Sequence, residues 1–448
     1  PRESSREFRP ERDILAPARK VTEESVSAGK VGKEKMTLAE CIVVALENNP
    51  QTRSSWQAAR AASDRAGEKK APYLPYVDFS TGVSRSDAAD IDSGRERESG
   101  PTTTYDAAFG VRYLLYDGGR RAANLSEAQA QLYAANFRHN TALQDVALSV
   151  EEAYYQLIAN MWSAEVAEET VAQTEHHVGV ARARHESGVV SRSDVLKART
   201  ERANARLQLV RAKSAVKVSR GKLAGAMNLK VSEKVEVEDI PEENRDREIA
   251  AVEKLLQEAA RGRPELQAAL AEVQSRQAGI RAARSEYRPD LTANANYGWR
   301  DENFAPNEEE WSAGLGLSLP LFTGFERSYR TRRAESELQQ AISDYENALR
   351  SVALDVWTAY AGVQEADEAI EAAQALVASA EESLEVARSE YKEGAGSITE
   401  LIDAQTAYSQ ARNHLVQSRL DWHENLARLD RAVGRSVNKQ ALNLKRDK

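Results

Sequence analysis

The placement of 12 prolines most limits what this chain of 448 residues can fold into. None falls between Pro101 and Pro241, and none follows Pro320. A compact domain turns its chain often, and proline and glycine punctuate those turns. Long proline-free runs therefore argue against a compact globule. They point to long helices, whose interiors exclude a residue that lacks an N–H and clashes with the preceding turn.

The chain also repeats itself, which must be settled before any element is assigned. Asn49-Pro50-Gln51 matches Arg263-Pro264-Glu265 at an offset of 214, as do Pro75 and Pro289, Leu38 and Val252, and Ala45 and Ala259. Further on the offset is 206: Leu115-Tyr116-Asp117-Gly118 matches Leu321-Phe322-Thr323-Gly324, and Gly188 matches Gly394. This is a tandem duplication. Its expected parts are an extended segment 1–35, a first copy 36–230, a linker 231–248 that forms part of an equatorial belt, a second copy 249–434, and a tail 435–448.

Each copy opens with a helix, capped in the first by Thr37-Leu38-Ala39-Glu40, and broken by Pro50 or Pro264. A second helical segment runs to about Ala71 and Glu286. Period-two segments follow, forming hairpins over 76–115 and 290–320. Val77, Phe79, Thr81 and Val83 alternate with Asp78, Ser80, Gly82 and Ser84, the pattern of a strand with one apolar and one small, polar face.

Helical hairpins over 120–228 and 326–432 come next. Their first arms, Arg120–Glu186 and Glu326–Glu393, hold 67 and 68 residues. Each is about 100 Å long at 1.5 Å per residue. A heptad stripe of Ile342, Leu349, Val356, Val363, Ile370, Val377, Leu384 and Tyr391 marks the second arm, with alanines completing the seam. The first copy is expected to keep the phase through Leu143, Val150, Leu157, Ala164, Val171 and Val178.

Several function classes are excluded. Lys and Arg, 61 in all, are interspersed with 70 Asp and Glu, so no basic stripe indicates nucleic acid. No apolar run is long enough for a transmembrane helix. Cys41, the single cysteine, reads as a core residue. His139, His176, His177, His185, His414 and His423 show no metal spacing on a common face and read as helix-surface or seam residues. No phosphate loop, nucleophile elbow or metal cluster is present in the sequence, so neither an enzyme nor a cofactor is expected.

The strands impose the sharpest requirement. Ten residues at about 3.3 Å each, tilted near 45°, cover roughly 23 Å of membrane. Tyr73, Tyr76, Tyr105, Trp299 and Trp311 cluster at the expected strand ends, where interfacial aromatics belong. Four strands cannot close a barrel, and an open edge cannot sit in lipid, so several chains would have to pool their strands. The alternative at this point is a soluble four-stranded sheet.

With these motifs in order, the sequence resembles the TolC-type outer-membrane channel family from Met36 to Gly434. The carriers are Leu74-Pro75, Leu114-Leu115-Tyr116-Asp117-Gly118-Gly119-Arg120, Leu319-Pro320-Leu321-Phe322-Thr323-Gly324, and the segment Tyr391–Ala404. The resemblance implies a mainly α protein with a transmembrane β part: a homotrimer with a 12-stranded β-barrel, four strands per chain, continued by a 12-helix barrel. It implies a passive duct in the outer membrane of a Gram-negative bacterium, contacting outer-membrane lipid and reaching through the periplasm. The expected partners are a periplasmic adaptor and an inner-membrane pump. The family's adaptor contacts map onto Ser187, Gly188 and Val189, and onto Glu393, Gly394 and Ala395.

The family's constriction maps onto Glu400 and Asp403, with Asp194 and Lys197 as possible participants. Glu400 has a second reading, as the partner of Ser397 in a capping box, and Ser191-Arg192-Ser193-Asp194 is a related box. Asp403 has no capping role; it either pairs with Lys197 or lies on a solvated face. Gly396 stands where the family often has an arginine, which puts in doubt any lock using that side chain. Two other functions stay open: an outer-membrane channel of type I protein secretion, and a soluble coiled-coil scaffold.

Overall fold

Thr37 Oγ1 accepts from the Glu40 amide while the Glu40 carboxylate accepts from the Thr37 amide, and this box starts α1 (Leu38–Asn48). The structure, a computed structural model, describes residues 35–86, 90–92, 95–97, 101–240 and 250–435. The expected extended segment before Met36, the second half of the linker and nearly all of the C-terminal tail lie outside the described residues. Asn49 turns to extended backbone, and Pro50 opens α2 (Pro50–Glu68). There its missing N–H costs nothing, because the first amides of a helix have no partner within it. Then come β1 (Tyr76–Ser86), β2 (Asp90–Asp92), β3 (Arg95–Arg97), β4 (Thr102–Tyr116), α3 (Arg120–Glu186) and α4 (Arg192–Ala226). The second copy repeats the order as α5 (Val252–Gly262), α6 (Pro264–Ser285), β5 (Asp290–Asp301), β6 (Glu308–Ser318), α7 (Glu326–Glu393) and α8 (Ile398–Val433). The ribbon β2–β3 stands in a stretch, 87–104, that the sequence pattern treats as a plain connection.

The described residues fall into two compact units, one from Ser55–His139 and Glu265–Leu349, the other from the rest of the chain. The first holds an antiparallel sheet in the order β1-β4-β5-β6. Its register carries the duplication: Val77 faces Val111, and residues 214 and 206 further on, Leu291 faces Leu317. Phe79, Phe109, Tyr297 and Trp311 form one row straight across the four strands. Trp311 therefore lies inside β6, not at its end as the alternation had placed it, because β6 begins three residues earlier at Glu308. The opposite face carries Asp78, Gly110, Asn296 and Ser312 in the same register. It has little room: a Cβ on Gly110 would sit 2.9 Å from the Asp78 carboxylate.

The joint between strand and helix is built twice from the same parts. Asp117 accepts from the amides of Gly119 and Arg121 at 3.1 and 2.7 Å, capping α3. Gly118 and Gly324 hold positive φ at the corners. Arg121 then donates back to the Leu114 carbonyl at 2.7 Å and to the Pro72 carbonyl at 3.1 Å, with its guanidinium over the Tyr73 ring. Arg327, its counterpart, donates to the Pro320 carbonyl and, at 3.0 Å, to the Glu286 carbonyl, and covers the Tyr287 ring. Each arginine thus pins the end of a strand, the end of the preceding helix segment and the start of the long helix at one point. Only a planar fork with five donors makes such a contact.

The other unit has its core where α1, α3 and α4 meet the linker. Ile42, Leu157, Leu223, Met227 and Val235 are all buried there. Met36 and Val237 form a parallel bridge, and Tyr154 Oη donates to the Glu238 carbonyl at 2.7 Å. In α7 the heptad stripe is buried at Val356, Val363, Ile370, Leu384 and Tyr391, but Ile342 and Val377 are only partly so and Leu349 is exposed. In α3 it is not kept: Val150 and Leu157 are buried, but Val171 and Val178 are only partly so, and Thr174, His177 and Ala181 take the inner places. Pairs eleven residues apart, Val146/Leu157 and Val166/His177, share burial instead. Eleven residues is close to three turns of a straight helix, whereas a heptad stays in phase only under left-handed supercoiling.

The same unit holds a layer of titratable groups, Glu151 buried and Tyr155 and His423 half-buried. Tyr155 stacks on His423 at 4.7 Å between ring centroids. Burial lowers the His423 pKa to about 4. Burial, reinforced by Asp430 and Glu152, raises that of Glu151 to about 7.

Two expectations follow. Arg121→Lys or Arg327→Lys, losing the fork at one joint, should each cost about 2–3 kcal/mol, read as a lower denaturant midpoint of the fluorescence of Trp299 and Trp311. The layer predicts opposed pH effects. Glu151, raised in the fold, contributes stability that is full below its unfolded pKa and is lost as pH rises through about 7. His423, lowered in the fold, loses stability as pH falls from about 6.5 toward about 4, because the unfolded chain takes up the proton first. Glu151→Gln should thus gain about 2–3 kcal/mol over wild type at pH 8 and nothing at pH 4.5, and His423→Gln should gain only on the acid side.

Candidate functional site

The two helical hairpins end in turns of one design. Glycine at 188 and 394 takes positive φ, 74° and 89°, just past the end of each first arm. The next amide reaches back five residues, Val189 to the Arg184 carbonyl and Ala395 to the Glu390 carbonyl, both at 2.9 Å. This is the glycine-terminated helix stop, and it places Ser187, Gly188 and Val189, and Glu393, Gly394 and Ala395, in exposed turns. The return helices begin at once, each with a capping box. The Ser191 amide donates to the Asp194 carboxylate at 3.1 Å, and the Ser397 amide to the Glu400 carboxylate at 2.7 Å.

Of the two sequence readings of Glu400, the capping box is the one formed within the chain. Glu400 caps its own helix, and the Ser397 amide it accepts holds its carboxyl below the ordinary range, so it carries charge at neutral pH while fully exposed. Asp403 lies one turn further along α8 and is exposed. Of the two readings of Asp403, the pair with Lys197 is not formed within the chain. Lys197 donates to Thr399 Oγ1 at 3.1 Å, because Thr399 lies nearer the start of α8. Around this bond Ser193, Leu196, Lys197, Thr200, Glu201, Thr399 and Ile402 line an open cleft of about 420 Å³.

One tip residue escapes sequence reasoning. Arg184, in the last turn of α3, lays its guanidinium 4.9 Å from the ring centre of Tyr391, the buried final member of the α7 stripe. A Cβ on Gly394 would stand 3.1 Å from its Nη2. The family's usual arginine is missing at Gly396, yet a guanidinium from the other hairpin holds this turn. In sequence Arg184 is one of many helical arginines with no distinguishing neighbour. Behind the tip, Val195, Ala198, Leu384, Ile398 and Leu401 form an apolar plug. A polar layer follows: Arg388 donates to Gln405 at 3.2 Å, Gln405 to Ser409 at 3.3 Å, and Ser409 bonds Thr170 at 2.9 Å. His177 lies buried beside it, its pKa lowered by burial. Among the described residues no group of acidic, histidine or cysteine side chains could hold a metal ion.

Among the described residues the chain thus combines a sheet with one exposed apolar face and two unpaired edges with long helical hairpins whose return helices start in charged caps. The family model for outer membrane efflux proteins matches residues 41–229 and 255–435, and the chain belongs to that family. It is 29% identical to Protein CyaE of Bordetella pertussis over 391 residues, 85% of this chain and 80% of that one. It is 26% identical to the outer membrane protein TolC of Vibrio cholerae over 406 residues, 89% and 90% of the two chains. Among solved structures, the outer-membrane channel OprN matches with a TM-score of 0.80 at 16% identity, over 92% of this chain and 96% of its own. CusC, described in its transmembrane channel, matches at 0.79 and 19%, over 89% and 92%.

The tip geometry makes a direct prediction. Arg184→Ala should release the Gly394 turn, read as amide hydrogen exchange at Gly394–Gly396 at least about tenfold faster, with exchange at α1 unchanged.

Proposed function

We propose that this chain is the passive outer-membrane exit duct of a tripartite efflux system, working as a homotrimer whose pooled strands form the barrel and whose pooled hairpins form the periplasmic tunnel. The carrying observation is the sheet: four strands, an apolar outward row, and edges at β1 and β6 that no other described strand pairs. Membership of the outer membrane efflux protein family and likeness to a TolC relative support the same reading. The role is conduction rather than catalysis. A periplasmic adaptor would grip the turns at Ser187, Gly188 and Val189 and at Glu393, Gly394 and Ala395, and an inner-membrane pump would drive the cargo. The linker after residue 230 would serve as part of a belt around the tunnel.

The gate is Glu400 with Asp403. Three chains would bring six carboxylates to the axis, where like charges bind cations and oppose further closure. Glu400 also caps its helix, so its neutralisation would act on the tip in two ways, while Asp403 would act through charge alone. Asp194 and Lys197 would set the charge of the adjoining hairpin.

Single-channel recording in planar bilayers tests this. Wild-type protein should show a low-conductance state blocked by divalent cations. Asp403→Asn should weaken the block, and Glu400→Gln with Asp403→Asn should abolish it. A divalent block left unchanged in the double variant would remove the gate assignment, and absence of any pore would remove the duct.

A further inference from the structure

A buried polar atom without a partner needs an explanation, because leaving it unpaired costs more than an ordinary hydrogen bond gains. His177 carries such an atom. It is 5% exposed, on the inner side of α3 about three helical turns before Gly188, and its Nε2 is buried with no partner. Thr174, one turn earlier, cannot serve it, since its hydroxyl bonds the Thr170 and Val171 carbonyls of its own helix at 2.9 and 3.0 Å. Gln405 of α8, 1% exposed, is occupied on both sides. Its Oε1 accepts from Arg388 of α7 at 3.2 Å, and its Nε2 donates to Ser409 at 3.3 Å. Ser409 closes the layer on α3 through Thr170 at 2.9 Å. Three helices are thus tied together around an imidazole whose Nε2 takes no part in the tie. The next cluster along the seam is apolar, with Ala181 and Leu384 buried, so packing alone does not call for a histidine here.

The surroundings decide which form of the ring fits. Neutral imidazole donates at one nitrogen and accepts at the other, while the protonated ring donates at both and carries charge. Burial is the largest influence against that charge; Gln405 favours it, Arg388 and His176 oppose it, and the balance lowers the pKa. Among the described groups that act on His177 there is no carboxylate, and none comes from α4. Glu381 of α7 acts on Tyr408 of α8, beside the same Arg388, and not on His177. The one fixed charge that faces the ring therefore repels its charged form.

We propose that His177 is a proton-operated latch on the seam behind the hairpin turns: neutral, it lets α3 pack against α7 and α8, and protonated, it drives α3 away from Arg388 and loosens the turns at Gly188 and Gly394. That this loosening opens a duct rests on the function proposed above; the loosening itself does not. The sign follows from burial. The unfolded ring takes up its proton near pH 6.5 and the packed ring only at lower pH, so the seam is at full strength above about 6.5 and weakens as pH falls below it. Histidine is the side chain whose ordinary range puts such a change in mildly acidic water. Acidified surroundings then loosen this end of the hairpins without any other ligand.

Amide exchange at 174–181 in α3 and 402–409 in α8 tests the latch in the full chain, expressed as protection factors so that the intrinsic pH dependence drops out. Between about pH 7.5 and about pH 5 wild-type protection should fall about fivefold or more. In His177→Gln it should stay within about twofold. Arg388→Gln, which removes the repelling charge, should show a smaller fall than wild type. A wild-type seam equally protected at both pH values, or an equal fall in His177→Gln, would overturn the latch; an undiminished fall in Arg388→Gln would overturn the part given to Arg388. Should His177→Gln not fold, NMR titration of the wild-type imidazole decides: a midpoint below the ordinary histidine value supports the latch, and one at or above it overturns it. Bilayer recording separates this from the duct. A pore whose seam ignores pH would overturn the latch and leave the duct standing, whereas an acid-loosened seam in a protein that forms no pore would support the latch and remove the duct.

Discussion

Unpaired backbone at the edges of a sheet is the constraint on which the rest of this structure depends. In hydrocarbon an amide or carbonyl without a partner costs several kcal/mol, and an edge strand presents a row of them. A four-stranded sheet with an apolar face therefore has no stable existence in a membrane alone. It must find further strands, and the duplicated architecture offers them only from other copies of itself. Everything beneath the sheet serves that assembly, since each strand that is pooled commits the helix attached to it.

This gives the joints their importance. Arg121 and Arg327 fasten each strand end to a helix start through backbone carbonyls, which do not depend on the side chains around them. The duplication has kept this contact while changing its surroundings, Asp117 in one copy and Thr323 in the other. At the hairpin turns the chain uses softer means: glycine turns, capping boxes and one guanidinium on one ring.

Much of this was legible in the residues. The missing prolines located both long helices, and their ends at Arg120, Glu186, Glu326 and Glu393 agree with the structure. The offsets of 214 and 206 reappear in the strand register, because a sheet tolerates no slip that turns its apolar face to water. Other features depend on three dimensions. The seam of α3 departs from the heptad because what packs against it changes along its length, which no local pattern encodes. The ribbon β2–β3 is too short to alternate visibly. Arg184, Arg121 and Arg327 look like every other arginine until their partners, distant in sequence or carried on the backbone, are in place. At the hairpin turns, the capping role of Glu400 was readable from Ser397, while the bond from Lys197 to Thr399 was not.

The central claim is that the sheet meets lipid on one face and water on the other. Single spin labels placed in turn at positions 77 to 83 in β1 and 313 to 318 in β6, in protein reconstituted into bilayers, test it most directly. Collision with dissolved oxygen should dominate at the odd positions, and collision with a water-soluble nickel chelate at the even ones. Equal access of the chelate to both sets would mean a sheet in water, and would contradict the account.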